Sequence, residues 1–157
     1  MSIITLRRFD SSDLIKIHQW PAYPPEFDEL DYALRENGWL AEFHDKPEAQ
    51  IYVAEQAKEI IAFSLLAKTG KAEAEFRIAL RADHIGHGLG KTITAMTLHE
   101  GFSTMNLSRI NLIVRKNNPR AISLYHQIGF KTYSTCEKTV NGKPTSFWEM
   151  AIYKPTL

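Results

Sequence analysis

The run Ile85-Gly86-His87-Gly88-Leu89-Gly90-Lys91-Thr92 lies between a strand-like alternation that ends near Leu80 and a long helix-like stretch. Three glycines in five residues let a backbone approach a ligand closely and aim successive N–H groups in one direction. A helix beginning at that point adds the partial positive charge of its N-terminus. The combination binds phosphate, so the question is which phosphate compound. Two familiar loops fail on spacing. A P-loop has four residues between its first Gly and its Gly-Lys-Thr, whereas three residues separate Gly86 from Gly90. A dinucleotide fingerprint starting at Gly86-His87-Gly88 requires Gly at position 91, which is Lys. What remains is a Gly-x-Gly at 88 and 90 after a longer lead-in.

The 157 residues suffice for one domain with a real core, and 44% hydrophobic content with 11% aromatics predicts a globular chain. A formal net charge of +1 gives no electrostatic case for nucleic acid or an anionic membrane. No run approaches about 18 consecutive apolar residues, so no membrane span is expected. The first eight residues, Met1 to Arg8, lack the apolar core of a signal peptide. Cys136 is the single cysteine, which excludes an internal disulfide and fits a reducing, cytoplasmic compartment. It stands in a strand-like run, where a structural role is expected of it. His84 and His87 lie in a loop with no third ligand nearby, so no metal site is expected.

Ile3–Phe9 reads as a first strand, and Asp10 is placed to cap a helix running to about Gln19, with Leu14 and Ile17 inward. Pro21-Ala22-Tyr23-Pro24-Pro25 breaks regular structure. A second helix is expected from about Glu26, carrying Phe27, Leu30 and Leu34, with Gly38 as its stop and a helical turn over Trp39–Phe43. Ile51–Glu55, Ile60–Lys68 and Ala74–Leu80 read as strands. The helix after the glycine loop, to about Met105, carries Ala95, Leu98, Phe102 and Met105 on one stripe and Leu89, Ile93 and Met96 on another, which predicts broad burial. Ile110–Val114 is a short apolar strand. Asn118 caps the next helix with Pro119 at its first position and Gly129 at its end. Phe130–Val140 and Thr145–Tyr153 form a hairpin about Asn141-Gly142. The order β, α, α, β, β, β, α, β, α, β, β predicts a single mixed α/β domain over residues 1–157.

The stretch Asn118-Pro119-Arg120-Ala121-Ile122-Ser123-Leu124-Tyr125-His126-Gln127-Ile128-Gly129-Phe130 resembles the run N-x-x-A-I-x-L-Y-x-x-x-G-F of the GNAT acyltransferases at every defined position. It starts 28 residues after Gly90, across one helix and one strand. The glycine loop resembles the diphosphate loop of the same family. Together the two motifs cover about Ala74 to Phe130.

That resemblance implies the GNAT acyl-CoA N-acyltransferase fold, a central, mostly antiparallel sheet of about seven strands splayed between the fourth and fifth, with about four helices. Acetyl-CoA would lie in the splay. Ile78, Ala79 and Leu80 would pair with its pantetheine arm. The loop Ile85, Gly86, His87, Gly88, Leu89, Gly90 and Lys91, with Thr92 on the first helical turn, would wrap the diphosphate. Asn118, Ala121 and Leu124 would line the site, and Tyr125 would point at the thioester sulfur. The chain departs from the family at Ile85, where Arg or Gln is usual; His87 and Lys91 are expected to restore some positive charge.

Acyl transfer from a thioester to an amine requires a deprotonated amine, a polarised carbonyl and a protonated leaving thiolate. The resemblance makes Tyr125 the acid, and a phenol of ordinary pKa near 10 keeps its proton at neutral pH. Glu75 falls where many members carry a carboxylate base; the competing reading is a solvated strand residue flanked by Glu73 at the same parity. Polarisation would fall to a backbone N–H of the fourth strand, such as that of Leu80.

The segment that lines the acceptor side in the family reads Trp20-Pro21-Ala22-Tyr23-Pro24-Pro25-Glu26-Phe27-Asp28-Glu29 here. Trp20, Tyr23, Glu26 and Glu29 suit a cationic amine of a small molecule or peptide. They equally suit a loop packing two aromatics on the core, with Glu26 and Glu29 as first-turn helix acids. The expected activity is acetyl-CoA-dependent N-acetylation by direct transfer in a ternary complex. The rival is an acyl-CoA-binding sensor of the same fold that lacks turnover. By analogy with relatives, the Asn141-Gly142 hairpin and the last strand are a candidate homodimer edge.

Overall fold

The computed structural model describes residues 3–25, 33–34, 38–140 and 142–156. Seven strands form one sheet: β1 (Thr5–Arg8), β2 (Ala49–Gln56), β3 (Glu59–Gly70), β4 (Glu73–Leu80), β5 (Arg109–Arg115), β6 (Lys131–Val140) and β7 (Lys143–Tyr153). Among the described residues there are four α-helices: α1 (Asp13–His18), α2 (Trp39–Phe43), α3 (Leu89–Ser103) and α4 (Pro119–Ile128). The strand order is β1-β2-β3-β4-β5-β7-β6. Every neighbouring pair is antiparallel except β4 and β5, which run parallel. This is the expected splayed, mostly antiparallel architecture. The helix expected from Glu26, including Phe27 and Leu30, falls mainly outside the described residues.

β3 carries Ile60-Ile61-Ala62-Phe63-Ser64-Leu65-Leu66-Ala67, buried from end to end. A strand apolar on both faces belongs at the centre of a covered sheet, and helices cover both faces here. On one side Phe76, Ile110, Leu112, Val114 and Met150 pack against Leu98 and Phe102 of α3, with Phe130 closing the cluster. On the other, Val53, Phe63 and Leu65 pack under Ile17 of α1 and Trp39 and Leu40 of α2. The strand alternation of β5 sorts its residues between these faces, with Ile110, Leu112 and Val114 buried toward α3 and Asn111 and Ile113 on the opposite side.

Three local details differ from the sequence reading. The helix expected after Asp10 begins later, at Asp13. The Asp10 carboxylate accepts from the Ser12 N–H and hydroxyl, making a turn ahead of the helix. Asp13 is buried because the Arg7 guanidinium grips both its oxygens at 2.9 Å, which holds its carboxyl below the usual range. Second, α3 does not bury the anticipated apolar stripes alone. Ala95 is exposed, while Thr94, Thr97 and Gly101 are buried beside Ile93, Leu98 and Phe102. Thr97 is accommodated because its hydroxyl bonds Ser64 Oγ at 2.7 Å and the Ile93 carbonyl at 2.9 Å. Third, β7 inserts between β5 and β6, so β6 and not the last strand forms the free edge. The hairpin connection is short, since Val140 pairs with Lys143; Asn141 lies outside the described residues.

Gly101 sets how closely α3 approaches the sheet. A Cβ there would lie 2.9 Å from Cδ1 of both Ile110 and Leu66. The helix whose first turn borders the glycine loop is therefore seated through a residue with no side chain. Gly101→Val is expected to lower the unfolding free energy by about 2 kcal/mol through overpacking, read from urea denaturation. An unchanged midpoint would show that α3 can lift from the sheet without cost.

Candidate active site

β4 and β5 pair only at Glu73↔Arg109, Ala74↔Ile110 and Glu75↔Asn111. Beyond Glu75, β4 stays bound to β3 as far as Leu80, and β5 stays bound to β7 as far as Arg115. The two strands separate, and the edge of Phe76–Leu80 that faces β5 has no strand partner. A cleft of ≈ 400 Å³ occupies this region, lined among others by Ile78, Leu80, Ile85, Gly86, Gly88, Gly90, Asn118, Ala121, Leu124 and Tyr125. Strand edge, glycine loop and α4 therefore converge on one cavity.

The loop adopts conformations that require its glycines. Gly86 has φ 89° and Gly88 φ 78°, the left-handed region that residues with a Cβ avoid. Gly88 is the residue before α3, makes no side-chain cap, and faces open space. The first N–H groups of α3 are thus left for a ligand. Gly90 sits where a Cβ would be 3.5 Å from Cδ1 of both Leu80 and Leu124, so the loop, β4 and α4 meet there. The side chains of the other loop residues make contacts of their own or face solvent, which leaves their backbone N–H groups as the part expected at the diphosphate. Lys91 Nζ donates to Gln127 Oε1 at 3.3 Å, His87 and Thr92 are exposed, Leu89 packs on Ala54, Ile61, Ala62 and Ile93, and none of the four lines the cleft. Ala79 is buried on the opposite face of β4, in the cluster under α1 and α2.

α4 forms as its sequence dictates. Asn118 Oδ1 accepts the Ala121 N–H at 3.2 Å, Pro119 occupies the first turn, and Gly129 ends the helix at φ 125°. This fixes Ala121, Leu124 and Tyr125 on the cleft side. The Tyr125 ring stands edge-on to Phe76 and Phe130, with centroids 6.4 and 5.6 Å away. Apolar surroundings push its phenol up to about 12.

Glu75 sits at the closed end of the splay, 2.7 Å from Arg77 Nε. Strand alternation puts it on the face opposite Phe76 and α3. Register carries that face across Asn111 to Ala151, and hence to Glu149 two residues earlier on β7. Cys136 shares that face with Glu149; burial foremost, with the charges of Glu149 and Glu75, raises its thiol pKa. Trp20 packs on Phe63 at 5.5 Å and donates its indole N–H to the Ile60 carbonyl. The Tyr23 hydroxyl donates to the Leu80 carbonyl at 2.6 Å, pinning the open end of β4. Glu26 and Glu29 lie outside the described residues.

The sequence reading missed Thr94, Arg115, Asn117 and Arg120, which also line the cleft. Thr94 is the most telling, since its hydroxyl is fully buried and has no hydrogen-bond partner. Only its place one turn into α3, behind Gly90, could have signalled this. Among the described residues there is no cluster of His, Cys, Asp and Glu suited to a metal, and no helix long and apolar enough to cross a membrane.

Unpartnered strand-edge amides, free N–H groups at a glycine-lined helix start, and a protonated phenol against an apolar wall together define a site for a thioester on a phosphate-bearing carrier. The model of the acetyltransferase (GNAT) family matches residues 13–130, and the chain belongs to that family. It is similar to the spermidine N(1)-acetyltransferase of Vibrio cholerae serotype O1, at 31% identity over 142 residues covering 82% of this chain and 79% of the relative. A spermidine N-acetyltransferase SpeG chimera from Vibrio cholerae and hSSAT superposes with a TM-score of 0.76 at 28% identity, covering 96% of this chain and 95% of that one. The Vibrio cholerae spermidine N-acetyltransferase in complex with CoA and spermine shares the fold, with a TM-score of 0.79 at 24% identity over 96% and 95% of the two chains. The chain is an acetyl-CoA-dependent N-acetyltransferase. The open strand edge, the unpaired Thr94 hydroxyl and the glycine cradle fit that co-substrate.

The Thr94 hydroxyl has no protein partner, so removing it leaves no protein group unpaired. Thr94→Val is expected to leave the urea midpoint of the free protein unchanged or to raise stability by up to about 1 kcal/mol. A clear loss would mean that the hydroxyl has a partner in solution.

Proposed function

We propose that the chain acetylates a primary amine of a polyamine of the spermidine class, by direct transfer in a ternary complex. The observation that carries this reading is the similarity to a spermidine N(1)-acetyltransferase over most of both chains. The face opposite α3 supports it: Glu149 and Glu75 both lie there, beside the splay, and carboxylates attract an extended polycation, with Arg77 as the partner that the polycation would share at Glu75.

The residues divide the chemistry between the two faces of the sheet. Bound acetyl-CoA supplies the acetyl thioester. Tyr125 approaches from the α4 side, where it holds a proton for the departing thiolate. A phenol held near 12 stays protonated across the working range, since only pH near that value removes its proton. Glu75 faces the other side, where the amine enters, and takes the ammonium proton directly or through water. Tyr125 and Glu75 thus address the splay from different faces of the sheet, the base at the incoming amine and the acid at the sulfur that leaves the tetrahedral intermediate. Tyr23 keeps the end of β4 in place through the Leu80 carbonyl, and Trp20 braces the entrance by packing on Phe63.

The test is release of free thiol from acetyl-CoA with spermidine and spermine, set against amino acids, aminoglycosides and lysine-containing peptides. The proposal expects the highest kcat/KM with the polyamines. It also expects Tyr125→Phe to lower kcat by about 10²-fold or more while CoA binding is retained. Turnover of peptides or aminoglycosides with none of polyamines would overturn the acceptor. Unchanged kcat in Tyr125→Phe would overturn the acid.

A further inference from the structure

Ile85 removes the side-chain donor expected beside a CoA diphosphate, and the loop lysine bonds Gln127 instead. A second cation stands in the vacant place. Arg120, on the first turn of α4, extends across the cleft to the loop and lines the cavity. Its Nη2 would lie 2.6 Å from a Cβ at Gly86, so the guanidinium occupies the space that a side chain at position 86 would fill. Gly86 therefore has two functions: its φ of 89° shapes the loop, and its missing side chain admits the guanidinium. Among the described residues Arg120 has no hydrogen bond or ion pair, although its side chain is exposed and ends beside the site.

An unpaired guanidinium lying on a loop of free N–H groups is suited to an anion with several oxygens. Its planar fork binds two of them at once, which a lysine ammonium does not. We infer that Arg120 is the side-chain ligand of the CoA diphosphate, supplied from α4 in place of the residue absent at position 85. The Asn118 cap and Pro119 fix the start of α4, so the cation is positioned before a ligand arrives. The motif that places Tyr125 at the thioester thereby also grips the other end of the carrier.

This inference rests on the acetyl-CoA reading of the cleft, and calorimetric titration separates the two. Wild type, Arg120→Gln and the double variant Arg120→Gln with Ile85→Arg are titrated with CoA and with dephospho-CoA, which keeps the diphosphate but lacks the 3′-phosphate. Arg120→Gln is expected to weaken both ligands equally, by about 10-fold or more, the loss typical of a charge-assisted hydrogen bond. Ile85→Arg is expected to recover most of that loss by restoring a cation on the loop side. Unchanged affinity in Arg120→Gln would overturn the assignment. A loss confined to CoA would overturn it too, by moving Arg120 to the 3′-phosphate. A wild-type chain that binds neither ligand would overturn the acetyl-CoA reading together with this one.

Discussion

The separation of β4 from β5 beyond the Glu75↔Asn111 pair is the constraint on which the rest of the site depends. Ending a ladder inside a sheet leaves backbone N–H and C=O groups without strand partners, and each would carry a desolvation cost if buried. The fold tolerates this because each strand is held on its other side: β4 pairs with β3 from Glu73 to Leu80, and β5 with β7 from Arg109 to Arg115. The opening is thus braced by two long antiparallel ladders. α3, seated closely through Gly101, and α4, fixed by its Asn118 cap, form the remaining walls. An edge with free amides, held open by its neighbours, offers a substrate carrying amides of its own the partners that a strand would have supplied.

On the proposed mechanism the opening also gives acid and base separate approaches. Tyr125 reaches the gap from the α4 face, packed on Phe76 and Phe130, where an apolar wall keeps its proton bound. Glu75 and Glu149 lie on the face that α3 does not touch. A gap through a sheet lets two chemically different environments address one bond. A closed pocket on a single face would have to build both within a few ångströms. Arg120 lines the cleft beside the glycine loop, whereas Glu75, paired with Arg77, and Glu149 lie on the other face of the sheet.

Much of this was legible in the sequence because it is locally encoded. Gly86 and Gly88 announce positive φ, Asn118-Pro119 announces a capped helix start, and Gly129 its stop; each signal acts within a few residues. Alternation identified β4, a short apolar run identified β5, and the spacing of Gly90 and Asn118 tied the two motifs to one fold. What was not legible depends on contacts between distant segments. Nothing local to Arg120 reveals that it lies on Gly86. Nothing around Thr97 reveals Ser64 as its partner, so the buried face of α3 looked more apolar than it is. Nothing local to Asp13 reveals that Arg7 and the turn at Asp10 enclose it. The insertion of β7 between β5 and β6 is likewise a matter of topology rather than of periodicity.

The central claim, that the unpaired edge of β4 and the glycine loop together receive acetyl-CoA, is tested most directly by amide hydrogen exchange with and without CoA. The account predicts slowed exchange in two separate segments, the β5-facing amides of Phe76–Leu80 and the amides from Gly86 to Thr92, with β6 unaffected. Protection confined to the loop, or absent from both segments while CoA binds, would contradict it.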